Sequence, residues 1–108
     1  MQQGFQKKCI FLHYILPSLL VLIQTSAYSA DYYNGSKIYN RHCVNCHGST
    51  GMGEVPDAPN FTRGEGIMKP DSQLIRHLQI GSGPAPAFEN ILSEREMLDV
   101  ITYIRSLY

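Results

Sequence analysis

The sequence predicts an all-α domain, with three main helices joined by long loops and wrapped around something larger than its own side chains. Three observations carry that expectation. Apolar residues recur at spacings of three and four over 31–42, 70–80 and 93–107, and no stretch shows the convincing alternation of a half-buried strand. The stretches between them, 48–69 and 81–92, are dense in glycine and proline. The chain is also short. Its 108 residues hold one domain. Without the first 30 residues 78 remain, a length at which a side-chain core is marginal and needs a staple.

Residues 1–30 read as a secretory signal. Lys7 and Lys8 form a basic start, and Ile10 to Ile23 is a mostly apolar run of 14 residues. That run falls short of the roughly 20 residues a membrane span needs, which favours cleavage over a retained anchor. Small residues follow it, and the cut is expected between 27 and 30. Tyr28 would sit poorly three positions before a cut at Ala30, whereas cuts after Ala27 or Ser29 are flanked by small residues. Cys9 lies ahead of the apolar run, so it is no lipidation site, and its removal leaves only Cys43 and Cys46. The remaining domain, 31–108, has seven Lys and Arg against nine Asp and Glu, a net of −2. It has no basic patch of the kind nucleic acid requires.

Within 31–42, Tyr32, Gly35, Ile38, Tyr39 and His42 fall on one helical face. Gly35 inside a helix costs about 1 kcal/mol relative to alanine, a cost more easily borne where another helix crosses closely. Next comes the stretch that sets the chemistry, Cys43-Val44-Asn45-Cys46-His47. C-x-x-C-H is the attachment pattern of a c-type haem. Two thiols one helical turn apart can add to the two vinyl groups of one porphyrin, and the adjacent histidine then lies under the iron. A thioredoxin-like pair would follow a strand in a βαβ pattern, which is missing. A zinc site would need two further ligands at matching spacing. His42 and His77 are poorly placed for that. A covalently held haem would also be the staple that a domain of this size lacks.

The loop 48–69 needs a surface to pack on, and the haem would provide it. Met52, between two glycines, reads as exposed, and Met68 as a residue that could cover the haem edge. In 70–80, Pro70 suits a first turn, Asp71 suits the positive helix end, Leu74, Ile75 and Leu78 form the apolar face, and Gly81 ends the helix. His77 reads as a partly exposed helix residue. The stretch 81–92 excludes regular helix and sheet. Ser93 and Glu96 form a capping box for the last helix. Met97, Val100, Ile101, Ile104 and Leu107 make its apolar stripe, and Tyr103 could pack near Gly35. Glu94, Arg95, Asp99 and Arg105 fall outside the stripe and read as a solvated face.

From about residue 33 to 107 the chain resembles the small class I c-type cytochromes of bacteria. The matching residues are Gly35 and Tyr39, Cys43-Val44-Asn45-Cys46-His47-Gly48, Ala58-Pro59-Asn60-Phe61, Pro86-Ala87-Phe88, Leu92-Ser93 and Tyr103-Ile104-Arg105. The resemblance implies a cytochrome c fold in which the first and last helices cross and loops enclose one haem c. It implies Cys43 and Cys46 as the thioether positions, His47 as the proximal iron ligand, the Pro59 carbonyl as acceptor for the outer nitrogen of His47, and Phe88 packed on the haem. One position departs from the pattern: where the family has the methionine that ligates the iron, this chain has Ala85. The sixth position is then empty, held by water, or filled from elsewhere, with Met68, Met52, His77 and Asn90 as candidates.

Two functions follow from these readings. The first is a periplasmic electron carrier, handing electrons to or from a dehydrogenase, reductase or oxidase, with no nucleic acid partner and no membrane anchor after cleavage. The second is a haem protein that binds nitric oxide, carbon monoxide, oxygen or peroxide at an accessible iron, as a sensor or weak peroxidase. A subunit docked on a partner that lends the distal ligand is a third arrangement. No acid–base pair stands beside Ala85, so no enzymatic role is expected.

Overall fold

A computed structural model describes residues 27–108. The basic start and apolar run of the expected signal lie outside the described residues. The elements are α1 (Tyr32–His42), α2 (Val44–His47), a 3₁₀ turn (Phe61–Arg63), α3 (Asp71–Ile80) and α4 (Glu94–Arg105). Among the described residues there is no strand, only an isolated bridge between Ser82 and Ala85. No helix among them is long and apolar enough to cross a membrane. The all-α class and the three main helices thus agree with the sequence reading.

Each main helix starts where its sequence dictates. Asp31 caps α1 by accepting from the Tyr33 and Asn34 amides. Ser93 and Glu96 close the capping box on α4, with side chain and backbone bonded in both directions. Pro70 occupies the cap position of α3, just outside the helix, and Asp71 begins its first turn.

The dominant packing is α1 against α4. At the crossing, a Cβ on Gly35 would stand 2.0 Å from the Asp99 carbonyl oxygen and 3.1 Å from the Tyr103 Cβ. Only glycine allows the two backbones this close. Tyr103 then bridges Tyr32 and Tyr39, with ring centroids 5.3 and 5.2 Å away. Below the crossing, Ile38, Tyr39, Met97, Val100 and Ile101 form the buried centre.

The solvated face expected on α4 holds for Glu94 and Arg95, which are exposed, but not for Asp99, and Arg105 is only part-exposed. Asp99 is only 2% exposed. One of its oxygens accepts from the Tyr28 hydroxyl and from the Asp31 amide at 2.7 Å, and the other from Asn34 Nδ2 at 2.7 Å. Asp99 therefore pins the entry of α1 onto α4. Arg95 stacks on the Tyr28 ring, 4.3 Å from its centroid. Arg105 reaches across to Asp71 at 2.6 Å and to the carbonyls of Lys69 and Ile67 at 2.8 and 3.3 Å. It fastens the end of the long loop and the start of α3 to α4. Helical periodicity marked these side chains as off the core stripe. It could not show that other segments fold over that face.

Two predictions follow. Gly35→Ala must force α1 and α4 apart, an overpacking that costs about 1–3 kcal/mol, readable as a lower midpoint in urea. The second concerns acid. Burial pushes the Asp99 carboxyl up, but the bonds from Asn34, Tyr28 and the Asp31 amide outweigh it and hold the group below its ordinary range. A lowered folded value means the contribution is complete at neutral pH and is lost as pH falls through that value. Wild type should therefore lose stability more steeply than Asp99→Asn as pH falls below about 4, the ordinary carboxylate value, checked by urea unfolding over a descending pH series.

Candidate haem site

Cys43 sits between two helices, closing α1 and opening α2. Its amide donates to the Tyr39 carbonyl at 2.8 Å, and its carbonyl accepts from the His47 amide at 3.0 Å. The single turn of α2 therefore brings Cys43, Cys46 and His47 together on the wall of one cavity. Gly48 ends that turn with φ of 78°, and its carbonyl accepts from the Tyr39 hydroxyl at 2.6 Å. Tyr39 is fully buried, so the attachment turn is tied to the helix crossing through one hydroxyl. Burial, then the neighbouring Cys43 and Tyr103, push that phenol up to about 12.

The long loop folds back onto the same turn. The amides of Gly53 and Glu54 donate to the carbonyls of His47 and Cys46, both at 2.9 Å, and the Phe61 amide donates to Gly51 at 2.8 Å. Asn60 caps the 3₁₀ turn, accepting from the Thr62 amide and hydroxyl at 3.0 and 2.7 Å. As a result the Phe61 ring lies flat on His47, 4.5 Å between centroids and 19° between planes. This stacking was not legible as a role for Phe61. Its one signal was an aromatic directly after Pro59-Asn60.

The surroundings of His47 favour the neutral form of its imidazole. Burial lowers its affinity for a proton, with the nearby Pro59 carbonyl acting in the opposite sense. Neutral imidazole is the form that ligates metal. Its Nδ1 is buried and makes no closed hydrogen bond, although the Pro59 carbonyl is near enough to influence it. Cys43 is half-buried and Cys46 exposed, and both are free thiols. Burial, and then Cys46, push the Cys43 thiol up to about 11.

The cavity has a volume of about 290 Å³, roughly twice one known to admit a benzene ring. Val100, Ile101 and Ile104 of α4 and Leu74 of α3 give it an apolar lining. Phe88 also lines it, is buried, and meets the His42 ring edge-on at 5.8 Å. Ala85 is on the wall as well. Of the four candidates for the sixth ligand, the cavity brings in one. His77 lines it, although exposed on its other side. Met68 does not. It is 73% exposed, because its neighbour Ile67 takes the inward position and Met68 turns toward Gly64. Met52, 59% exposed, and Asn90 also lie off the wall. Periodicity alone placed His77 at a helix edge. Only the fold shows that this edge faces the cavity.

Two free thiols and a part-buried histidine with an unpartnered buried Nδ1, on one helical turn and facing an apolar cavity in an all-α shell, fit one covalently bound haem c. This is the class I c-type cytochrome arrangement. A family model described as "Cytochrome C oxidase, cbb3-type, subunit III" matches residues 30–104. The chain is 30% identical over 103 residues to cytochrome c6 of Thermosynechococcus vestitus, covering 92% of this chain and 90% of that protein. Cytochrome c6 of Thermostichus vulcanus is 29% identical over the same length and coverage. That of Synechococcus elongatus is 30% identical over 79 residues, 69% of this chain and 88% of that protein. The chain belongs to the cytochrome c family. It is a monohaem c-type cytochrome that works in electron transfer with redox partners, not an enzyme.

Tyr39→Phe removes the shorter of the two hydrogen bonds on the Gly48 carbonyl, leaves the Gly51 amide on it at 3.2 Å, and keeps the ring. It should lower stability by about 0.5–1.5 kcal/mol while leaving the haem content per folded molecule unchanged, checked by urea unfolding and by the haem-to-protein absorbance ratio.

Proposed function

We propose that this chain carries electrons in the bacterial periplasm, with its haem held through thioethers to Cys43 and Cys46 and through the His47 ring on the iron. The observation that carries the reading is the placing of all three on one wall of an apolar cavity. When bound, the haem supplies a reversible one-electron change between ferrous and ferric iron. The protein's residues do the rest. His47 would donate one ring nitrogen to the iron, and the nearby Pro59 carbonyl would accept from the other, which would orient the ring and raise its basicity. Phe88 packs on the haem, and the α4 residues Val100, Ile101 and Ile104 exclude water from it.

Export requires removal of the N-terminal segment, within residues 1–30. The bond between Ala27 and Tyr28 is the best candidate for the cut, because the Tyr28 hydroxyl bonds to buried Asp99 and Arg95 stacks on its ring. Cleavage after Ala30 would discard both contacts. Among the described residues no helix is long and apolar enough to cross a membrane. A net charge near −2 suits a partner with a basic rather than an acidic docking face, and gives no surface for nucleic acid. A dehydrogenase, a reductase or an oxidase could serve, and the description of the matching family supports an oxidase.

Intact-mass measurement of protein purified from the periplasm tests attachment and processing together. The expected mass is that of residues 28–108 plus one haem that survives acid–acetone extraction. An uncut chain, or a mass without haem, would overturn the reading. Cys43→Ala or Cys46→Ala should leave little stably loaded protein.

A further inference from the structure

The wall of the cavity that carries Ala85 is built from two pieces. The end of α3 contributes His77 and Leu78, and the 81–88 turn contributes Pro84, Ala85 and Pro86. The turn is folded back on the helix. Ser82 and Ala85 exchange backbone bonds at 3.2 and 3.0 Å, the Phe88 amide donates to Leu78 at 2.8 Å, and the Gly81 amide donates to the His77 carbonyl at 2.9 Å. A Cβ on Gly81 would stand 2.5 Å from the Ala85 carbonyl oxygen. His77, one helical turn before Gly81, therefore shares its wall with Ala85. His47, Pro59 and Phe61 belong to the wall made by α2 and the long loop.

Ala85 presents only a methyl group. Four other side chains on the cavity carry a possible donor outside the attachment motif: His42, Asp57, Lys69 and His77. Three are poorly suited. His42 immediately precedes Cys43, so its backbone is fixed by the attachment motif, and its ring is engaged edge-on with Phe88. Asp57 belongs to the same loop as Pro59 and is a hard oxygen donor less suited to haem iron than imidazole. Lys69 has its carbonyl held by Arg105 at 2.8 Å, and an ammonium must lose a proton before it can ligate. His77 remains, an imidazole on the wall where this chain has given up a sulfur.

We propose that His77 is the second axial ligand of the haem iron, so that this cytochrome carries a bis-histidine haem. The inference rests on the attachment reading above. Donation of an imidazole lone pair to the sixth position closes the iron to small ligands and makes the protein an electron carrier rather than a gas sensor. Without the thioether that raises the potential of Met/His haems, its potential lies below that of Met/His relatives.

Spectra of the purified, haem-loaded protein test this. Wild type should be low-spin in the ferric state, without the far-red sulfur-to-iron band, and its near-infrared magnetic circular dichroism should report an imidazole–imidazole pair. His77→Ala should turn the ferric haem high-spin. If His77 holds the iron in nine molecules of ten or more, its loss should speed carbon monoxide binding to the ferrous form at least about tenfold. Lys69→Ala should change neither. Should His77→Ala fail to mature, His77→Gln and the wild-type dichroism still decide the matter. A high-spin wild type, a sulfur band, an imidazole–amine signature or an unchanged low-spin His77→Ala would each overturn the proposal. A chain without haem would instead overturn the attachment reading, so the two failures are distinguishable.

Discussion

The close approach of α1 and α4 at Gly35 is the contact on which the rest of the domain depends. It lets Asp99 gather Tyr28, the Asp31 amide and Asn34, which fixes how α1 enters. It sets Tyr39 where its hydroxyl holds Gly48 and hence the attachment turn. It also aims Val100, Ile101 and Ile104 at the cavity from the far side of the same helix. A single methyl at residue 35 would disturb all three, because each relies on the same backbone separation. The glycine weakens α1 locally, and the tertiary contact it permits offsets that cost.

Around this crossing the domain is completed by its cofactor. The 48–69 loop has little regular structure, and its bonds to the carbonyls of Cys46 and His47 orient it toward the haem rather than toward a side-chain core. The 81–88 turn is likewise held by a few backbone bonds and by buried Phe88. Neither segment has the apolar content to order itself, which is why so short a chain can spend much of its length on glycine and proline. Folding and cofactor attachment are in this sense one event, and the residues that ligate also decide where the loops settle.

Much of this was legible in the sequence. The three helices, the capping box at Ser93, the crossing near Gly35 and the C-x-x-C-H turn all rest on local patterns that tertiary structure did not override. What escaped was long-range. Asp99 and Arg105 look like surface charges on a helical wheel, and only the segments 28–34 and 67–71 folding over α4 give them partners. Phe61 stacks on His47 because a loop closes by backbone bonds that no side-chain pattern announces. Met68 seemed available as a ligand until Ile67 was seen to take the inward place. For His77 the helix period was right, but which face met the cavity depended on the turn after Gly81. The family likeness marked Ala85, and of the four candidates named with it the fold brings only His77 onto the cavity.

The claim that the haem is the core on which the loops are ordered is tested most directly by amide hydrogen exchange. Haem-loaded protein would be compared with the Cys43→Ala/Cys46→Ala chain freed of haem. The account predicts that the amides of Gly53, Glu54 and Phe61, bonded to His47, Cys46 and Gly51, are protected in the loaded protein and lose that protection without haem. Equal protection of these amides in the two proteins would contradict it.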